Sequence, residues 1–497
     1  MNQRSAIIRN SNIDACVSIT DSLSSSLGPR GLDKMIVCGK DVTVTNDGAT
    51  ILTKLKGVHP VSKILTNLSQ AQDEACGDGT TSVVVLTGAL LKACKSLLKL
   101  VHPSAIIEAL ERIKIAANVI LEDAGIPIGD SEGELIRNVI TSLSSKVVSS
   151  CAEEMALISV KAMKKAGSLK NIKIVKKVGG SIEETKLVDG VVLNKNIKDN
   201  IQGINRKMKV LMAQFCLSAP KTNIDSKILI EDADAMDRII KEERDYIVNI
   251  CKKIKESGCE LLIVQKSIMR DSLSSLAYHF LKKLNIMVIE DVEREEIDFI
   301  SKTFGIKPIS DVDLIPSELR ELGIKEEEES GERITTLIDK GNIYVSILVR
   351  GSDNMIVDET ERSLVDALSV VKSLIDNPKK VPGGGHIEML ISMIETEDMI
   401  ERELYKAFEC IPYYLCRNGG VNLNVNKKEN LLEELRSKIN NKSYRYQGIN
   451  IRKGKVDNMI DHEIVQPLSV SVNVVNMAIE TTAMILKIDD VLPTNRI

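Results

Sequence analysis

The chain has 497 residues, 43% of them hydrophobic and 27% charged, with a formal net charge of −4. That length suits about three globular domains at roughly 150 residues each, and the charge gives no basis for a nucleic-acid partner, which needs a clustered basic surface. Aromatic residues are only 3% and Trp is absent, so aliphatic cores are expected.

Ten Cys contain no CxxC pair, and the five His do not complete a zinc-ligand spacing. Reduced thiols packed as small hydrophobes are expected instead. The N-terminus MNQRSAIIRN lacks the apolar core of a signal peptide. No apolar run approaches the roughly 18 residues of a membrane span, so no membrane partner is expected and a cytoplasmic location is.

In chain order, Ile13, Val17, Thr20, Leu23 and Leu27 repeat at helical spacing up to Gly28-Pro29, a glycine stop followed by proline. A hairpin follows over Met35–Cys38 and Val42–Thr45. Helical patterns then cover 49–56, 61–75, 83–100, 104–124 and 134–151. Strands are expected at Ile172–Val178 and Leu187–Leu193. From 209 to 310, apolar runs at Val210–Phe215, Leu261–Val264 and Ile286–Ile289 alternate with helical stretches at 233–256, 271–284 and 293–303, the pattern of an α/β layer. The helix at 233–256 has little apolar surface in its N-terminal half and is expected to project. Glu326–Glu329 reads as a solvated loop or helix end, Ile343–Arg350 as a strand, and the last third as helical.

Four glycine turns could approach a ligand closely. In Gly77-Asp78-Gly79-Thr80-Thr81-Ser82, a helix opens at the threonines, and its free N–H groups suit an anion. Asp78 suits Mg²⁺. The missing lysine separates this turn from the GxxxxGK[ST] loop, and a plain capped helix start is the alternative. Ser26-Leu27-Gly28-Pro29-Arg30-Gly31 reads equally as a helix C-cap, and Thr45-Asn46-Asp47-Gly48 as an ordinary turn. Pro382-Gly383-Gly384-Gly385 is either a flexible loop or a close approach to a ring. Asp366 lies off the stripe Leu364, Leu368, Val371 and Ile375 of a helix over Ile356–Ile375, and locally reads as a solvated surface carboxylate.

Taken together, SLGPRG at 26–31, TNDGATIL at 45–52, GDGTTS at 77–82, VDAL at 365–368 and GGG at 383–385 resemble, in order, the nucleotide-site motifs of the group II chaperonin family. Lys487-Ile488-Asp489-Asp490 looks like that family's C-terminal strand. The eukaryotic cytosolic branch (CCT, or TRiC) fits best. FCLSAPKTNID at 215–225, QKSIMRDSLSSLAYHFL at 265–281, VVSSC at 147–151 and Val465-Gln466-Pro467 are similar to its delta-type chains.

The resemblance implies an α/β multidomain chaperonin fold. A mostly helical equatorial ATP-binding domain would span 1–141 and 384–497. A small α/β intermediate hinge domain would span 142–205 and 349–383. An α/β apical client-binding domain would span 206–348, with a helical lid protrusion near 232–258 and a client-facing helix at Ser274–Leu284. It implies ATP and Mg²⁺ as cofactors. Its expected partners are paralogous subunits in a hetero-oligomeric double ring of eight per ring, together with unfolded clients such as cytoskeletal proteins.

Residue by residue, Asp78 resembles the metal ligand and Asp366 the residue that positions or deprotonates the attacking water. Asp47 resembles a carboxylate near the γ-phosphate. Leu27, Gly28, Pro29, Gly31, Gly48, Gly79, Thr80, Thr81 and Ser82 resemble phosphate-side positions, and Gly384, Gly385 and Gln466 nucleoside-side positions. Gln466 stands where most relatives carry an acid, and Asn418-Gly419-Gly420 where they have Asn-Ala-Gly. Residues 166–172, with Lys170, look shorter than the family's nucleotide-sensing loop. The alternatives left open are a ring-forming paralogue with an architectural role and weak turnover, a homo-oligomeric archaeal-type ring, and a small-molecule kinase built on glycine turns.

Overall fold

The structure is a computed structural model that describes residues 3–39, 41–55, 59–129, 131–198, 203–218, 233–268, 270–316, 318–329, 332–339, 343–420, 425–440 and 446–491. Two compact units divide the chain: Met1–Met163 with Ser352–Ile497, and Lys164–Gly351.

The first unit is a helical body built from both ends of the sequence. Gln3–Leu23, Pro60–Cys76, Thr80–Leu97, Pro103–Ala124 and Leu468–Lys487 bury one aliphatic core that includes Ile13, Leu65, Leu86, Leu90, Leu110 and Ile485. The helix Thr80–Leu97 runs through its middle, and its Val, Leu, Ala and Cys side chains are buried on most sides. This helix and Leu468–Lys487 are long and apolar enough, by length and composition, to cross a membrane, with more than half of each apolar window buried. Near its ends the chain is tied together by Arg9 Nε donating to the Leu486 carbonyl at 2.9 Å and by the Arg4–Asp490 ion pair at 3.1 Å.

Small β elements decorate this body. Lys34–Cys38 pairs antiparallel with Asp41–Thr45, as the sequence pattern suggests. Lys379–Pro382 lies between Val465–Pro467 and Ile126–Pro127. The expected helix over 134–151 instead ends at Leu143, and a turn through Ser144-Ser145-Lys146 leads into a 3₁₀ turn at Val147–Cys151. The expected C-terminal strand is not formed: the last helix ends at Lys487, and the described residues Ile488–Val491 are irregular.

The second unit is an α/β insertion. Ile172–Val178 pairs in parallel with Val345–Gly351, which joins the beginning and end of the insertion, and Lys186–Val188 completes that three-stranded sheet. A six-stranded sheet runs in the order Val191–Leu193, Glu332–Ile338, Glu321–Glu329, Asn205–Ala213, Leu261–Gln265, Met287–Val292. Its first pairs are antiparallel and its last three strands parallel. Alternate side chains feed separate cores, one holding Met208, Ile263 and Phe304, the other Leu211, Leu262 and Ile254.

Two expectations fail here for local reasons. Glu326–Glu329 lies in a strand, not a loop. Leu322, Ile324 and Glu326 share one buried face at period two, and Glu326 Oε1 accepts the Ile197 N–H at 3.3 Å. Leu187–Leu193 is two strands, because Asp189-Gly190 turns the chain between them. The helix Ala233–Glu256 is present, and its described residues up to Tyr246 are exposed. The helix at Ser275–Lys283 is capped by Ser274 Oγ, which accepts the Ala277 N–H at 3.1 Å. The delta-like stretch at 215–225 lies partly outside the described residues.

Candidate functional site

A cavity of about 590 Å³ opens within the first unit, in the size range of small-molecule sites. Its floor is the turn before the helix Thr80–Leu97. Gly79 sits at the helix N-cap with φ 79°, and no side chain caps the end. That left-handed conformation favours glycine, and a Cβ there would meet Val474 Cγ2 at 2.9 Å. The first helical bond runs from Val83 N–H to the Gly79 carbonyl, so the N–H groups of Thr80, Thr81 and Ser82 precede the helix ladder. All three residues line the cavity.

Asp78 lines it beside them. Its Oδ1 accepts the Gly79 N–H at 2.7 Å, and its carbonyl accepts Gln72 Nε2 at 2.8 Å. Asp47, also in the lining, caps the helix Gly48–Lys54. Its Oδ2 accepts the Thr50 N–H at 2.9 Å, and its Oδ1 accepts Thr80 Oγ1 at 2.9 Å. The ordinary turn read from the sequence is thus present and hydrogen-bonded to the glycine-rich turn.

Asp366 reaches the same cavity from the helix Asn354–Asp376. Its side chain is only 14% exposed, and Oδ2 is paired with Lys146, itself 11% exposed. This overturns the local reading of a solvated surface carboxylate. Burial pushes the Asp366 carboxyl up to about 8; Lys146 opposes the rise, and the charges of Asp47 and Asp73 add to it. Burial alone would discharge the Lys146 ammonium, but Asp366, Asp78 and Asp47 outweigh it and hold its pKa above the ordinary value. Asp73, on the preceding helix, is also raised, to about 6, by burial and by the charge of Asp47.

The other wall holds the remaining positions. Leu27, Gly28 and Pro29 line the cavity, and Asn418 Nδ2 fixes that loop by donating to the Ser24 and Leu27 carbonyls at 2.7 and 2.9 Å. Gly384 and Gly385 line it at the start of the helix His386–Ser392. A Cβ on Gly384 would meet Met459 Sδ at 2.8 Å. Gln466 lines it from the neighbouring strand, paired opposite Val381, with Nε2 donating to Ser471 Oγ at 2.5 Å. Two expected positions are not in the lining. Gly48 lies behind it, where a Cβ would meet the Thr81 nitrogen at 2.9 Å, and Gly31 closes its own turn by donating to the Gly28 carbonyl at 2.8 Å.

Residues 19–496 match the TCP-1/cpn60 chaperonin family. The chain belongs to that family. It is 47% identical to T-complex protein 1 subunit delta of Encephalitozoon cuniculi (strain GB-M1) over 498 residues, 98% of each chain. Against the subunits of the same name, identity is 43% for Homo sapiens, over 98% of this chain and 94% of that one, and 41% for Schizosaccharomyces pombe, over 97% and 96%. Chaperonins are in general ATPases that bind ATP with Mg²⁺ and assist protein folding.

Chaperonin motifs led the sequence reading to Asp47, Asp78 and Asp366, but it missed Lys146 and Asp73. The helix expected over 134–151 runs through Lys146, and the chaperonin motifs do not include it; Lys170, in the stretch that looks shorter than the family's nucleotide-sensing loop, lies in the other unit on a 3₁₀ turn. The polar break Ser144-Ser145-Lys146 after Leu143 was the available signal. It is held beside the Asp47 turn by Asn46 Nδ2 donating to the Ser145 carbonyl.

Proposed function

We propose that this chain is an ATP-hydrolysing, delta-type subunit of a hetero-oligomeric cytosolic chaperonin that encloses unfolded proteins. The observation that carries the reading is the convergence, in one cavity, of an uncapped helix N-terminus, Asp78 beside it, and a buried Asp366 of raised basicity. The full-length similarity to delta subunits supports the subunit type.

The residues fit a magnesium-bound triphosphate. The N–H groups of Thr80, Thr81 and Ser82 would hold phosphate oxygens, as helix N-termini do. Asp78 would hold the metal together with those oxygens. Among the described residues, no group of three or more His, Cys, Asp and Glu side chains could hold a metal ion, and magnesium characteristically takes one or two carboxylates plus phosphate. Leu27, Gly28, Pro29, Gly384, Gly385 and Gln466 would bound the rest of the nucleotide. Such a ligand supplies a phosphoryl group and the charge that neutralises its transfer.

Asp366, in its ionised form, would take a proton from water, and a raised carboxyl holds that proton more firmly than an ordinary one. Lys146 keeps that carboxyl oriented, and Asp47 keeps Thr80 oriented.

The domain scheme belongs to the same proposal. Residues 1–141 and 384–497 serve as the equatorial part, 142–205 and 349–383 as the hinge, and 206–348 as the client-binding part, with the exposed helix Ala233–Glu256 in its protrusion. Because Asp366 and Lys146 fall on hinge segments, closure completes the site and couples hydrolysis to movement. Purifying the endogenous assembly through this chain tests the proposal by native mass spectrometry. A large ring containing paralogous chains is expected. A monomer or dimer that phosphorylates a small molecule contradicts it.

A further inference from the structure

Three successive residues of the Asp47 turn are each held by a different element. Asp47 Oδ1 accepts Thr80 Oγ1 at the start of the helix Thr80–Leu97, and Asn46 Nδ2 donates to the Ser145 carbonyl beside Lys146. Thr45 is buried. Its hydroxyl donates to Glu359 Oε1 at 3.4 Å and accepts the Asp47 N–H at 3.2 Å. Glu359 thus reaches the turn that carries Asp47 without lining the cavity itself.

Glu359 stands on the helix Asn354–Asp376, seven residues before Asp366. That spacing is close to two helical turns, so the two carboxyls leave the helix on nearly the same side. One meets Lys146 and the other Thr45. Glu359 is only 4% exposed, and a buried carboxyl is costly unless cations or hydrogen-bond donors compensate it. Its cation, Arg362, lies on the same helix with Nη1 3.3 Å from Oε2, and Oε2 has no hydrogen-bond donor among the described residues. That ion pair would go wherever the helix goes. The hydrogen bond from Thr45 is what joins the carboxyl to a second element.

We propose that Glu359 is a positioning residue for hydrolysis: through Thr45 it fixes Asp47, and through Asp47 the Thr80 hydroxyl, so the helix that bears Asp366 also sets the phosphate side of the site. This rests on the nucleotide reading above. Glu359 touches no ligand and moves no proton. Displacing its helix withdraws Asp366 and releases the Asp47 turn together, so one movement controls both halves of the site.

The test uses assembled complexes photolabelled with azido-ATP carrying label on either the α- or the γ-phosphate. On this chain, initial α-label reports binding and loss of γ-label reports hydrolysis. Glu359→Ala and Thr45→Val are each expected to slow γ-label loss by on the order of tenfold, the usual effect of removing one hydrogen bond, with initial α-label unchanged. The double variant is expected to be no slower than the slower single variant, because both remove the same contact. Glu359→Gln, which keeps a carbonyl acceptor for Thr45, recovers most of the lost rate. A merely structural carboxyl would lower assembly or binding and leave the rate per labelled chain alone. Parental γ-label loss in Thr45→Val overturns the proposal even where Glu359→Ala fails to assemble. Losses that multiply in the double variant overturn it too, as does a Glu359→Gln chain as slow as Glu359→Ala. A parent chain that takes no label, or that keeps γ-label as long as α-label, overturns the hydrolysis reading and this inference with it.

Discussion

Replacing Asp366 by Asn separates binding from hydrolysis. The substitution keeps the shape of a side chain only 14% exposed and removes its ability to ionise. Lys146 then loses its closest partner but keeps the fields of Asp78 and Asp47, so the full cost of about 3–5 kcal/mol for stripping one member of a buried pair is partly offset. Nucleotide binding should therefore stay within a few-fold. The hydrolytic step loses its proton acceptor, a loss of roughly 10²–10⁴ in rate, or about 3–5 kcal/mol of barrier. The assay must isolate this chain from its ring partners. Complexes are photolabelled with azido-ATP carrying label on either the α- or the γ-phosphate, and the two signals on this chain are followed over time. In the parent, γ-label disappears while α-label remains; in Asp366→Asn, both persist together. Loss of γ-label at the parental rate, or equal loss of both signals at the start, refutes the assignment of Asp366.

Asp78→Ala should raise the Mg²⁺ concentration needed for half-maximal nucleotide labelling by roughly an order of magnitude, since magnesium relies on few protein carboxylates; unchanged Mg²⁺ dependence counts against its role. Asp73, raised to about 6 in the fold, holds its proton more tightly when folded, so its contribution is full below the ordinary carboxylate range and is lost as pH rises through about 6. Asp73→Asn should flatten that decline and raise the melting temperature at pH 7 more than at pH 4, as read by thermal denaturation at both values. Leu90→Ala, in the middle of the first-unit core at 0% exposure, should cost about 2–5 kcal/mol, seen as a lower denaturation midpoint; a change within error means the helix Thr80–Leu97 is not central to that core.

Why some of this was legible and some not follows from the kinds of signal involved. The helix Pro103–Ala124 is legible from its periodicity because it buries one regular face, and the strand Leu261–Gln265 from a short apolar run because its first four residues are all buried. Asp366 defeated that logic. The helix Asn354–Asp376 is buried over a wide arc that includes Ser363, Ser369 and Ser373, while Ile375, taken for core, is 49% exposed. A search for an apolar stripe sees neither small polar residues packed against neighbours nor a carboxyl turned into a cavity. Glu326 departs from expectation for a related reason: a run of four acids looks solvated until strand pairing turns its first member inward beside Leu322 and Ile324. The glycine turns told where backbone could come close, but only the resemblance of the ordered motifs joined Asp78 to Asp366, almost three hundred residues apart. The C-terminal strand drawn from that resemblance is not formed in the single chain.

The most direct measurement is an electron cryo-microscopy map of the assembled complex frozen with ADP and aluminium fluoride. The account predicts, in this chain, nucleotide density with its phosphates at the N-terminus of Thr80–Leu97, a metal beside Asp78, and the fluoride within reach of Asp366. An empty cavity in this chain, in a ring whose neighbouring chains are filled, contradicts it.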